Sequence, residues 1–160
     1  MRACSYWLFK SEPSGYAFQD LLNEDNHTAE WDGVRNYAAR NYLRDQVKLG
    51  DKVFFYHSNI KSPAIVGTAV VVREGYPDFT AWDTTSEHPD PKSTPANPIW
   101  FMVDIKADDF LSNEVTLTQI KSTVGLENTS LLKRARLSVH PVTREEWTII
   151  LALSKRKQSC

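Results

Sequence analysis

Cysteine is scarce in this chain of 160 residues: Cys4 and Cys160 stand near opposite termini. Two thiols so placed exclude a disulfide framework and a cysteine-based zinc site, and they fit a reducing, intracellular compartment. Histidine is equally thin, with four isolated residues, His27, His57, His88 and His140. No HExxH or close His/Asp cluster occurs, so no metal is expected. The six glycines are scattered, and none of G-x-G-x-x-G, G-x-x-x-x-G-K-[ST] or G-x-S-x-G is present, which removes the dinucleotide, nucleotide-triphosphate and common hydrolase classes; no cofactor is expected. No apolar run approaches the roughly 18 residues of a membrane span, and "MRACSYWLFKSEP" lacks a long apolar signal segment, so neither a membrane partner nor export is expected. An excess of either charge is missing too. Lys+Arg at 19 against Asp+Glu at 20 gives a net charge of -1, which excludes gripping a polyanion by bulk attraction but leaves room for a local basic patch.

What is present begins with size and patterning. The length suits one domain spanning 1–160. Charge is segregated: Gln19 to Asp32 holds Asp20, Glu24, Asp25, Glu30 and Asp32 without a Lys or Arg, whereas in Gly33 to Lys52 Arg35, Arg40, Arg44, Lys48 and Lys52 face two acids. β-Branched and aromatic residues concentrate at 5–10, 52–58, 64–74 and 99–106, which predicts strands, with a shorter one at 136–142. "NIKSP" between the two middle strands predicts a hairpin. Helices are expected around Phe18, Leu21 and Leu22, over "NYAARNYLRDQV", over "TLTQIKSTV" with Leu117, Ile120 and Val124 on one face and Gly125 as the stop, and over "VTREEWTIILAL". The last opens with Thr143 and Glu146 in capping-box spacing. This mixture lacks a βαβα rhythm and predicts an α+β fold with a curved, mostly antiparallel sheet or barrel. The basic C-terminal "SKRKQSC" is expected to be a solvated tail.

The segment "EGYPDFTAWDTTSEHPDPKSTPANP" carries five of the eight prolines and exceeds the dozen or so residues at which a structureless loop becomes unusual. Its Tyr76, Phe79 and Trp82 predict an ordered lid packed on the body rather than a disordered linker.

Ser11 beside Lys10 and Glu12 lacks a base within sequence reach, and the one candidate, His57, stands at a strand end where a His is usually a hydrogen-bonded structural residue; a nucleophile needs such a base, so the chain is expected not to be an enzyme. Trp31, Trp82, Arg35, Asn36, Ser11, Ser58 and Asn59, placed around one opening, would instead supply stacking faces and polar atoms for a nucleobase. Each base-aromatic stack is worth about 1–3 kcal/mol. Arg40, Arg44 and Lys48 recur every four residues and would meet phosphate on one helical face. A structural role competes at each position: Trp31 and Trp82 as core or anchoring residues, Arg35 paired with Asp32 or Asp83, Asn36 as a helix cap, and the three bases as a solvated helix surface. "WDGVRN" is too irregular for helix and is expected to form a turn, with a helix beyond Asn36 burying Ala38 and Tyr42.

The segments "YWLFKSEP", "WDGVRNYAARNYLR", "LGDKVFFYHSN", "SPAIVGTAVVV", "WFMVDI" and "RLSVHPVTREEW" resemble, in order and spacing, the EVE domain family. That resemblance implies a PUA-like small β-barrel flanked by helices, similar to YTH domains. It also implies a reader of modified bases, such as 5-methyl- or 5-hydroxymethylcytosine in DNA, flipped into an aromatic pocket. The implied ligand-binding positions are Lys10, Ser11, Trp31, Gly33, Val34, Arg35, Asn36, His57, Ser58, Asn59 and Trp82, with phosphate contacts from Arg40 and Arg44. Alternatives left open are a reader of modified RNA and an enzyme acting on nucleosides or tRNA. Relatives carry an aromatic shortly before "DPKS", where this chain reads "EHPDPKS". The compact chain resembles stand-alone bacterial members, which implies a cytoplasmic monomer, or a nuclear protein if the source is eukaryotic.

Overall fold

A computed structural model describes residues 4–155; Cys160 and the tail beyond Lys155 lie outside the described residues. Six strands form one mixed sheet: β1 (Tyr6–Ser11), β2 (Thr28–Glu30), β3 (Lys52–His57), β4 (Ala64–Pro77), β5 (Phe101–Thr116) and β6 (Val139–Val142), in the order β2-β5-β4-β3-β1-β6. Only β1 and β3 pair in parallel; the other neighbours are antiparallel. Helices α1 (Phe18–Leu22), α2 (Tyr37–Asn41), α3 (Leu117–Ser122), α4 (Ser130–Lys133) and α5 (Arg144–Ser154) surround it. The expected hairpin joins β3 to β4. Two short elements, β2 and α4, have no counterpart in the sequence expectation, because three or four residues carry too little periodicity to register.

Alternation with period two sends successive side chains of the central strands into different cores. Trp7 and Phe9 of β1 and Val53 and Phe55 of β3 enter one cluster with Phe18, Trp31, Leu43 and Val103. Leu8, Phe54 and Tyr56 enter the other, with Ile120, Leu131, Trp147 and Ile150 from α3, α4 and α5. Both faces of the sheet are therefore covered, which is why these strands read as nearly unbroken apolar runs. The Phe54 and Trp147 rings stack with centroids 3.7 Å apart.

The sheet curls. β2 and β1 are four strand positions apart in its order, about 19 Å in a flat sheet at about 4.8 Å per strand. Yet Trp31, the residue after β2, places its ring 5.4 Å from that of Phe9 in β1. That contact closes a barrel-like interior around the first core. Gly67 permits part of the closure: a Cβ there would lie 2.5 Å from ring atoms of Phe18, so the absence of a side chain lets α1 seat its aromatic against β4.

Helix boundaries follow their caps. Thr143 Oγ1 accepts the Glu146 N–H at 3.1 Å while Glu146 Oε1 accepts the Thr143 N–H at 2.9 Å, the reciprocal arrangement expected at the start of α5. Asn36 Oδ1 accepts the Ala39 N–H at 3.0 Å and starts α2. After five residues α2 widens into a π-helical turn, Tyr42–Gln46, in which the Val47 N–H reaches the Tyr42 carbonyl at 2.9 Å. The face it buries is Ala39 and Leu43, not the expected Ala38 and Tyr42, which are half-buried; Tyr42 instead rests its ring 5.4 Å from that of Trp7. In α3 Ile120 is buried, but Val124 is 90% exposed. The backbone turns extended at Thr123, so Val124 no longer lies on the helical face.

Candidate functional site

Residues 31–36 form a lip where β2 leaves the sheet. Trp31 continues the β2 ladder by donating its N–H to the Val103 carbonyl at 2.7 Å, and Gly33, at φ +79°, turns the chain back. The lid beginning after β4 is ordered and is pinned to this lip by Asp78. Its side chain is 0% exposed and accepts from the Gly33 N–H at 2.9 Å, Arg35 Nη1 at 3.0 Å and the Thr80 hydroxyl and N–H at 2.5 and 2.9 Å. Burial alone would push the Asp78 carboxyl up, but Thr80, Gly33 and Arg35 together hold it below the usual carboxylate range. Arg35 also donates from Nε and Nη2 to the His88 carbonyl, at 3.2 and 2.7 Å, and lies 5.5 Å from the Trp100 ring centroid. The partner of Arg35 is thus Asp78, not Asp32 or Asp83, because the lid folds back across the lip.

Between this lip, the ends of β1 and β2, and His88 of the lid lies an open cleft of about 970 Å³. Trp31 lines it although only 8% exposed. Its ring is anchored between Phe9 and Phe55, with centroids 5.4 Å away in both cases, so it serves the core and the cleft together. Tyr16 supplies a second aromatic edge, at 6.5 Å and 78° to Trp31. Burial, followed by a hydrogen bond to Glu24 at 3.1 Å, pushes the Tyr16 hydroxyl well above its ordinary pKa. Ala29 and Val34 add apolar surface.

The walls are strongly acidic. Glu12, Glu24, Glu30, Asp32 and Glu87 line the cleft, and Lys10 is the one lysine or arginine among its lining residues. Burial, reinforced by Asp104 and Asp32, raises the Glu30 pKa. Burial and Asp78 likewise raise that of Asp32, against the opposing pull of His88, whose Nε2 lies 3.5 Å from Asp32 Oδ2. Burial lowers the Lys10 pKa, and its Nζ donates to the Ala135 carbonyl at 2.7 Å.

Of the residues singled out in the sequence, Lys10, Ser11, Trp31, Gly33 and Val34 line the cleft. Arg35, Asn36, His57, Ser58, Asn59 and Trp82 do not. Arg35 braces the lid and Asn36 caps α2. His57 Nε2 accepts the Phe18 N–H at 3.1 Å, and burial lowers its pKa. The Ser58 N–H donates to the Ser11 carbonyl at 2.9 Å, which places the ends of β1 and β3 side by side, while Asn59 turns the hairpin at φ +56°. Trp82 is half-buried in the lid. Arg40 Nη1 donates to the Ile99 carbonyl at 2.7 Å, and Arg44 pairs with Asp45 through Nε and Nη2 at 2.8 and 2.9 Å; neither lines the cleft. Tyr16, Glu30, Asp32, His88 and Ser138 line it without having been singled out. The acidic run before Gly33 was the visible signal for Glu30 and Asp32; nothing local marks His88 or Ser138. Among the described residues no group of three or more His, Cys, Asp or Glu is placed to hold a metal ion, and no helix is long and apolar enough to cross a membrane.

The EVE domain model matches residues 5–153. Human thymocyte nuclear protein 1 is 41% identical over 172 residues, an alignment covering 97% of this chain and 76% of that protein. The crystal structure of the human THYN1 protein in complex with 5-methylcytosine-containing DNA is 40% identical, with a TM-score of 0.90 over 96% of this chain and 99% of that one. A hypothetical protein from Leishmania major is 46% identical, with a TM-score of 0.90 over 96% of each chain.

Proposed function

The chain belongs to the EVE domain family, and on that premise we propose that it is a non-enzymatic module binding DNA that carries a modified cytosine, with the base turned out of its helix into the cleft. The observation that carries this function is an anchored aromatic floor joined to a ring of hydrogen-bond acceptors in one opening. Its volume of about 970 Å³ lies near the top of the roughly 300–1,000 Å³ range of ligand pockets, which leaves room for a nucleoside. Cytosine offers an exocyclic amino donor, which carboxylates accept, and a C5 substituent that favours apolar contact; Asp32 and Glu30 supply the first kind of partner, Val34 and Ala29 the second. The relative crystallised with 5-methylcytosine-containing DNA supports the same class of ligand. Against turnover stand the prior engagements of the polar groups an enzyme would use: the Ser11 hydroxyl donates to the Tyr16 carbonyl at 2.6 Å, and His57 Nε2 accepts the Phe18 N–H. Such a module acts where DNA is held, in the cytoplasm of a cell without a nucleus or in the nucleus of a eukaryote.

The test is titration with duplexes identical except for cytosine, 5-methylcytosine, 5-hydroxymethylcytosine or thymine at one position, alongside RNA of the same sequence. Burying one methyl is worth about 0.8 kcal/mol, so 5-methylcytosine should bind about fourfold or more tighter than cytosine. Asp32→Asn should weaken discrimination against thymine. Trp31→Ala is the poorer probe, because emptying a core aromatic site costs about 3–5 kcal/mol and confounds binding with unfolding. Equal affinity for every duplex, unaltered by Asp32→Asn, overturns the proposal, and tighter binding of the RNA replaces DNA with RNA as the ligand.

A further inference from the structure

An acidic cleft repels the phosphates attached to any base it holds. Five carboxylates surround the opening, and its one lysine or arginine, Lys10, stands on the β1 wall beside Ser138. A bound nucleotide's backbone therefore leaves most favourably over that wall. Immediately outside it the chain reads "KRAR": Lys133, Arg134 and Arg136 are all exposed, at the end of α4 and in the loop before β6. Lys10 ties this loop to the cleft twice, donating from Nζ to the Ala135 carbonyl at 2.7 Å and from its N–H to the Ser138 carbonyl at 2.9 Å. Arg136 is two residues from Ser138, hence at most about 7 Å along the chain from the cleft wall. None of the ion pairs formed among the described residues involves Lys133, Arg134 or Arg136. Arg40 and Arg44, by contrast, already hold Ile99 and Asp45.

We propose that Lys133, Arg134 and Arg136 form the track for the phosphodiester backbone flanking the bound base, joined to the cleft by Lys10. This deepens the base-binding function and rests on it. The sign of charge then changes at Lys10: acceptors for the base edge lie inside, and donors for phosphate lie outside. Guanidinium groups suit this task because their planar donors pair bidentately with phosphate oxygens.

The salt dependence of binding to a duplex with one 5-methylcytosine tests the assignment. Each phosphate contact contributes about 0.9 to the slope of log K against log salt, so K133Q/R134Q/R136Q should flatten the slope by about 2–3. Its thermal midpoint and its preference for the methylated duplex should stay as in the wild type, since the three side chains are exposed and outside the cleft. R40Q/R44Q probes the rival surface and should flatten the slope less. An unchanged slope in the triple variant, or an equal or larger flattening in R40Q/R44Q, overturns the track. A wild type without preference among the duplexes whose slope still falls in the triple variant overturns the base reader and upholds the track. A wild type that binds no nucleic acid overturns both.

Discussion

Asp78→Ala removes a side chain that is 0% exposed and accepts from Gly33, Arg35 and Thr80. Hydrogen bonds to a charged group are worth about 1.5–3 kcal/mol each, but they do not add, since the freed donors find other partners or water. Deleting one member of a buried ion pair costs about 3–5 kcal/mol. Here Arg35 keeps two bonds to the His88 carbonyl and remains 22% exposed, which puts the loss at the lower end, about 3 kcal/mol. Urea unfolding at neutral pH reads it directly: with a slope of about 1–3 kcal/mol per molar urea, the midpoint should fall by about 1–3 M. Amide exchange should quicken at Gly33 and across residues 79–90, because lip and lid lose their common anchor. The folded-state pKa of Asp78 is depressed, so its stabilisation is present above the unfolded carboxylate value of about 3.9 and is lost as pH falls through the folded value. The advantage of wild type over Asp78→Ala should accordingly be flat above about pH 5 and shrink in acid. A loss below about 1 kcal/mol, or an advantage that grows in acid, refutes the reasoning that Asp78 joins lip to lid as a carboxylate.

Two further outcomes follow from the cores. Gly67→Ala places a methyl 2.5 Å from the Phe18 ring, which is held between Phe55 and Phe110 with centroids 5.2 and 4.9 Å away. Overpacking of this kind costs about 1–3 kcal/mol, read as a lowered thermal midpoint, and Phe18→Leu in the same chain should recover part of it. An unchanged midpoint refutes the contact. His140 is buried with its Nδ1 2.7 Å from the Ser130 hydroxyl, and burial, assisted by Lys10, lowers its pKa to about 4. The unfolded chain binds this proton more readily between about pH 4 and 6.5, so stability should fall as pH drops through that window. At 1.36 kcal/mol per pH unit the contribution is on the order of 3 kcal/mol. An NMR titration placing His140 at or above its ordinary value of about 6.5 contradicts this.

Local patterning carried the elements whose signals are repetitive or chemically marked. The concentration of β-branched and aromatic residues in "KVFFYHS" and "AIVGTAVVVRE", the reciprocal cap of Thr143 and Glu146, and the role of Asn36 as the boundary between turn and helix all follow from residues within a few positions of one another. The family, too, was legible, because its motifs run almost the length of the chain. Trp31 defeated the choice between core and site: it packs on Phe9 and Phe55 and also lines the cleft.

The sequence by itself therefore determined the α+β class, the approximate positions of the longer strands and helices but not of β2 and α4, and the presence of an aromatic, polar lip at Trp31 to Asn36. Only the tertiary structure decided which residues share the cleft. The curl of the sheet brings β2 against β1, setting Glu30 and Asp32 opposite Lys10 and Ser138, and the lid carries His88 over Gly33 while Asp78 claims Arg35. Those groups are separated by tens of residues along the chain. Their charges act over ångströms, so folding joins Glu24, Glu30 and Asp32 of the acidic run to Glu12 and Glu87 in one cleft and leaves Lys133, Arg134 and Arg136 exposed outside it.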